Sequence, residues 1–199
     1  EIYVLTNAAT NNNVWVNIGG GLGDYGKAFG GQGGGVSMGY CAGGYFSGSH
    51  RSIIEKFSYT SDGNVIGTIG NLSTAAAYHA ATSSATNGYI AGGGDEAASS
   101  HLATIDKFSF SSNGNASSIG NLSVGNEDPA GQSSKTNGYS SAGRNTSAVK
   151  VNTIDTYSFA SDGNATNHGN TVRAVMSQAG QSSATYGYTS GGTPTTNYI

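Results

Sequence analysis

The sequence predicts an all-β fold assembled from repeated units of four short antiparallel strands, and three observations lead there. The phrase Ile-Asp-Lys-Phe-Ser-Phe at 105–110 is written again as Ile54-Glu55-Lys56-Phe57-Ser58-Tyr59 and as Ile154-Asp155-Thr156-Tyr157-Ser158-Phe159. A Gly-Tyr pair recurs at Gly39, Gly88, Gly138 and Gly187, in steps of 49, 50 and 49 residues, which marks an internal repeat. The composition agrees: 33 Gly but only 2 Pro, with charged residues at 10% and apolar ones at 36%. Such a chain suits short strands linked by tight turns, and its periodic aromatics argue against disorder.

Taken in order, residues 1–12 read as a lead-in segment, an apolar strand-like run followed by an Asn-rich tract. The chain opens at Glu1 rather than Met and so reads as a processed form or a segment. Asn13–Gly19 aligns with Asn64–Gly70, so the array, residues 13–199, is entered at the last strand of a unit. Gly19–Gly35 reads as a glycine-dense loop with a small-residue strand. Full units begin near Gly39, Gly88 and Gly138, and the first half of another runs from Gly187 to Ile199, the counterpart of Ile154.

Each unit carries four expected strands. Strand a is small and polar (Ala80–Ser84, Gly131–Ser134, Gly180–Ser183). An Asn-Gly turn at Asn87-Gly88 or Asn137-Gly138 is expected to lead into strand b, because that dipeptide accepts positive φ. A variable connection leads to strand c, whose aromatics alternate with the period of two that strands impose. A second turn at Asp62, Asn113 or Asp162, again suited to positive φ, returns the chain as strand d. Four antiparallel strands in about 50 residues, repeated, specify a β-propeller blade. The small strand a would lie near the axis, and the Phe and Tyr of strand c would fill the gap between blades. Asn13–Gly19 would either close a ring of about four blades with the C-terminal half unit, or the array continues past Ile199 as a partial propeller, which is the reading preferred.

These residues carry a resemblance. The order of small strand, Gly-Tyr-x-x-Gly-Gly, connection, Ile-Asp-Lys-Phe-Ser-Phe, turn and Ile-Gly-Asn-Leu is similar to a degenerate kelch repeat. The double glycine stands at Gly43-Gly44, Gly92-Gly93 and Gly191-Gly192. The kelch Tyr maps to Phe57, Phe108 and Tyr157, and the kelch Trp is replaced by Ile or by His168. The recurring Ile-Asp-Lys-Phe-Ser-Phe and Ser-Asp-Gly-Asn-Ala-Thr phrases resemble kelch-like arrays in structural and tail-fibre proteins of marine bacteriophages.

Little in the chain reads as catalytic. Glu55, Asp106 and Asp155 recur in every unit, as framework residues do and catalytic carboxylates do not. His50, His79, His101 and His168 fall at different places in their units, without metal-ligand spacing. Asp62-Gly63-Asn64 lacks the ligand spacing of a calcium loop. Cys41 beside Tyr40 invites comparison with kelch-like copper oxidases that use a Cys–Tyr crosslink, but their histidines have no counterparts here. The glycine runs at 19–23 and 30–35 precede no helix pattern that would hold a phosphate. No cofactor is expected. A net charge of −3 provides no footprint for nucleic acid, and no apolar run approaches the roughly 20 residues that span a bilayer.

Recognition is expected on the b–c connections, which vary between units and should emerge on one face. The candidate binding residues are Tyr45, Phe46, His50, Arg51, Asp95, Glu96, His101, Arg144 and Lys150, and the d–a connection at Glu127-Asp128-Pro129 should share their face. The resemblance implies a non-enzymatic virion protein, a tail fibre or other appendage used for host-surface attachment or assembly. Its partners would be a host-surface glycan or receptor protein and other virion subunits, with homo-oligomers expected. The alternative is a secreted or cell-surface bacterial lectin or adhesin module binding carbohydrate or protein.

Overall fold

The computed structural model describes residues 3–7, 14–17, 38–61, 64, 67–95 and 100–193. Every element among them is a β-strand. β1 (Tyr3–Asn7) pairs antiparallel with β2 (Val14–Asn17), so the lead-in and the start of the array share one hairpin. The first sheet contains β3 (Met38–Ala42), and a short ribbon of β4 (Tyr45–Phe46) and β5 (Ser49–His50) leads from it to β6 (Ile53–Ser58) and β7 (Gly67–Asn71). The second is the meander β8 (Ala80–Ser83), β9 (Asn87–Ala91), β12 and β13, in which the ribbon β10 (Gly94–Asp95) and β11 (Ser100–His101) precedes β12 (Thr104–Ser109) and β13 (Ser117–Asn121). In the third, β14 (Asn126–Glu127) and β15 (Ala130–Ser133) both pair with β16 (Asn137–Asn145), which is followed by β17 (Lys150–Ser158) and β18 (Thr166–Asn170). β19 (Met176–Ser182) and β20 (Gly187–Thr193) form the last pair. The expected a-b-c-d order is complete in the second and third sheets, while the first shows b-c-d and the last a-b.

Two turn expectations are corrected. Asn87-Gly88 and Asn137-Gly138 lie within β9 and β16, and none of the four has positive φ. The chain reverses one step earlier, where Ser84 N donates to Asn87 O (2.9 Å) and Asn87 N donates to Ser84 Oγ (3.0 Å). The same serine-based reversal recurs at Ser134–Asn137 and Ser183–Tyr186. Glycine is required at Gly88 and Gly138 for another reason: the rings of Phe108 and Tyr157 lie where a Cβ would stand. Likewise Asn113 and Asp162 do not adopt positive φ. They reach back to the preceding sheet, Asn113 Oδ1 accepting from Lys56 Nζ (3.0 Å) and Asp162 pairing with Lys107. Asp62-Gly63, the 19–35 stretch and 194–199 lie outside the described residues.

Successive sheets meet in the same way each time. Along the first strands, Gly131 packs on the Ala81 carbonyl and Gly180 on the Gly131 carbonyl, so closely that a methyl group has no room at either position. Ser83 N donates to Ser133 Oγ (3.0 Å), and Ser133 N to Ser182 Oγ (2.9 Å). Along the last strands, Gly70 and Gly120 pack on the Gly114 and Gly163 carbonyls, while Ala116 N and Ala165 N donate to Asn71 O and Asn121 O, both at 2.8 Å. Between these seams lie two apolar clusters. One joins Tyr40, Ile54 and Leu72 of the first sheet to Phe108 and Phe110 of the second. The other joins Tyr89, Ile105 and Leu122 of the second to Tyr157 and Phe159 of the third. The c-strand aromatics therefore fill the space between sheets, as their alternation predicts.

The acidic position of strand c is part of the same joint. Buried Asp106 accepts from Ser73 N (2.7 Å) and Ser73 Oγ (2.6 Å), and Asp155 accepts from Ser123 N and Oγ (2.8 Å each). Charge-assisted bonds of this kind offset the cost of burying a carboxylate.

Candidate recognition face

In the first unit, Gly43 (φ 64°) and Gly44 (φ 110°) turn the chain out of β3 into the β4–β5 ribbon. Ser47 (φ 51°) and Gly48 (φ 84°) close that ribbon, the two positive angles of a type I′ turn. The ribbon displays Tyr45 at 55% and Phe46 at 68% exposure, with the Arg51 guanidinium 5.3 Å above the Phe46 ring. His50 stands edge-on to Tyr45 (5.4 Å) and to Tyr78 (6.2 Å), and Tyr78 comes from the connection between β7 and β8.

Tyr78 is absent from the residues expected from sequence. It occupies the repeat position of Asp128 and Ser177, and all three adopt positive φ (56° to 58°). Asp128 N donates to Tyr78 O (2.7 Å) and Ser177 N to Asp128 O (3.1 Å), so these connections stack as a ladder. The 49- and 50-residue steps alone would have found this position.

The second connection forms the β10–β11 ribbon, pairing Gly94 with His101 and Asp95 with Ser100, while Glu96 lies outside the described residues. The third departs from expectation, since Arg144 and Lys150 are strand residues facing each other in the β16–β17 register. The loop there shrinks to 146–149, because Asn145 Oδ1 accepts from Ser147 N (3.0 Å) and Val149 N (3.1 Å) and folds the chain back early.

Glu127 joins the three connections. Its Oε2 lies 3.1 Å from His101 Nε2 and accepts from Arg144 through Nε (3.1 Å) and Nη2, although the side chain is only 13% exposed. This hydrogen bonding, and then the carboxylate charge, raises the Arg144 pKa further above its ordinary value. A Cβ on Gly94 would stand 3.0 Å from Glu127 Oε1 and 3.8 Å from His50 Cε1. The structure therefore brings together His50, Gly94, His101, Glu127 and Arg144, with Tyr45, Phe46, Arg51 and Tyr78 grouped about the first ribbon.

Exposed ring faces beside a guanidinium and a fixed carboxylate can stack on and hydrogen-bond a ligand surface. Glu127 is already held by two partners, which suits a structural anion better than a proton acceptor. Among the described residues, no group of three His, Cys, Asp or Glu converges as metal ligands do. Adjacent strand residues point to opposite faces, so Tyr40 is buried while Cys41 is exposed, and their side chains diverge. Desolvation, and then the charge of Glu55, raises the Cys41 pKa, which weakens it as a nucleophile. No protein-family model matches the chain, and no curated protein matches it.

Proposed function

We propose that this chain is a non-enzymatic recognition module, a kelch-like β-propeller carried on a phage tail fibre or similar virion appendage, where it attaches to a host-surface glycan or receptor protein. The observation that carries the proposal is the contrast between seams and connections. The contacts between sheets repeat almost residue for residue, whereas the b–c connections differ in every unit and meet around Gly94 and Glu127. A constant scaffold presenting varied side chains is how rigid β-folds support recognition. The virion setting is supported by the tail-fibre resemblance of the repeated phrases. The exposed Tyr45 and Phe46 beside Arg51 support ring stacking against a sugar or a protein loop.

Two measurements test it. Mass spectrometry of purified phage particles should find this sequence on the virion. On a glycan array or whole-cell binding assay, the protein should bind in a manner lost in Phe46→Ala and Arg51→Ala variants that melt at the parent temperature. Binding without a virion would assign the module to a secreted or cell-surface adhesin. Binding that survives both substitutions would remove this face from the mechanism.

A further inference from the structure

The third sheet has a face with the same layout as those filled elsewhere, and a cleft of about 300 Å³ lies against it, between Tyr139, Ile154, His168 and Thr171 on one side and Gly187 and Thr189 on the other. Each lining residue has counterparts in the two completed joints. Tyr139 corresponds to Tyr40 and Tyr89, Ile154 to Ile54 and Ile105, and Thr171 to Leu72 and Leu122. In both completed joints two aromatics from the following strand c cover those residues. Phe110 stacks on Tyr40 at 4.6 Å and Phe159 stacks on Tyr89 at 4.7 Å, with Phe108 and Tyr157 beside them. Against Tyr139, among the described residues, the ring contact recorded is His168 of its own sheet, edge-on at 5.3 Å.

The edge of β20 matches. Ser183 N donates to Tyr186 O, which sets the alternation of the β19–β20 ladder, so Tyr186, Tyr188 and Ser190 bond to β19. The backbone groups of Gly187, Thr189 and Gly191 then point the other way. In the second sheet the equivalent groups bond strand c: Phe110 N donates to Thr86 O, and Gly92 N donates to Thr104 O. Among the described residues no strand pairs with that edge of β20.

We infer that the β20 edge and the cleft beside Tyr139 form one docking slot for an extended segment of the Ile-Asp-x-aromatic-Ser-aromatic pattern. The segment adds antiparallel to β20 and stacks its second aromatic on Tyr139. Main-chain bonds to Gly187, Thr189 and Gly191 supply register, and the alternating rings supply selectivity, which is strand addition with side-chain pockets.

The test uses the full chain and a synthetic peptide copying 103–123, the strand c and strand d segment of the second unit. Fluorescence anisotropy of labelled peptide should show saturable binding. A peptide carrying F108A and F110A should bind at least about ten-fold more weakly, since each ring forfeits its stacking as well as its buried area. Thr189→Pro removes an edge N–H not used by β19 and should abolish binding, with unfolding followed in parallel to confirm that the sheets persist. Equal affinity for the two peptides, or no saturable binding to the folded parent chain, would overturn the inference. So would light scattering that shows the parent chain associated with itself and dissociated by T189P, because the slot would then belong to a second copy.

Discussion

Asp155 shows why one acidic residue recurs in each unit. It is buried, it belongs to one sheet, and both its oxygens accept from Ser123 of the preceding sheet. Removing it deletes two charge-assisted bonds, so Asp155→Ala should lower unfolding free energy by about 2–3 kcal/mol in a denaturant titration. A loss below about 0.5 kcal/mol would make the bonds incidental. The tyrosines of strand b carry a pH signature. Burial raises the phenol pKa of Tyr40 and of Tyr89, and Tyr40 donates to Phe110 O (3.3 Å). The folded state therefore keeps these protons to higher pH than the unfolded chain, whose phenols titrate near about 10. Their contribution is complete below that pH and declines as pH rises through the folded values. Denaturant midpoints compared at about pH 8 and about pH 10.5 should show the decline, and Tyr89→Phe should reduce it.

At the level of the strand, legibility depends on whether the deciding partner is near in sequence. The alternation of Phe108 and Phe110 is local, and it identifies strand c and its burial without any further information. The reversal before strand b is misread because Asn87-Gly88 has the composition of a turn. What selects glycine there is the Phe108 ring, 20 residues away on the neighbouring strand. The face around Glu127 is half legible for the same reason. Varied connections can be counted along the chain, but the meeting of His101, Glu127 and Arg144 depends on which sheets are neighbours. The Gly88–Phe108 contact predicts a coupled pair. Gly88→Ala should cost about 1–3 kcal/mol by overpacking, and Phe108→Ala about 3–5 kcal/mol by leaving a cavity. The double variant should be less destabilised than the sum, because the new methyl occupies space the ring has left. Strict additivity in a thermal or urea double-mutant cycle would contradict that packing.

Across the whole molecule, stability is passed from sheet to sheet by contacts of one type. β15 is packed between β8 and β19, and its residues are almost entirely buried. The β19–β20 pair meets the third sheet on one side, and Tyr186 and Tyr188 remain exposed at 68% and 49%. In an array of nearest-neighbour joints, a unit held on both sides opens only with its neighbours, whereas one held on a single side opens alone. Native-state hydrogen exchange should therefore rank the amides of β9 and β15 slowest and those of β20 distinctly faster. The ordering cannot come from strand length, since β20 is longer than either β9 or β15. Within β20 the contrast should alternate, with Tyr188 and Ser190, bonded to β19, slower than Thr189, whose N–H faces the open edge. Adding the 103–123 peptide should slow Thr189 and Gly191 selectively while leaving β9 unchanged. Uniform protection along the chain would mean that the sheets unfold as a single unit, and the open edge of β20 would then have no separate energetic identity.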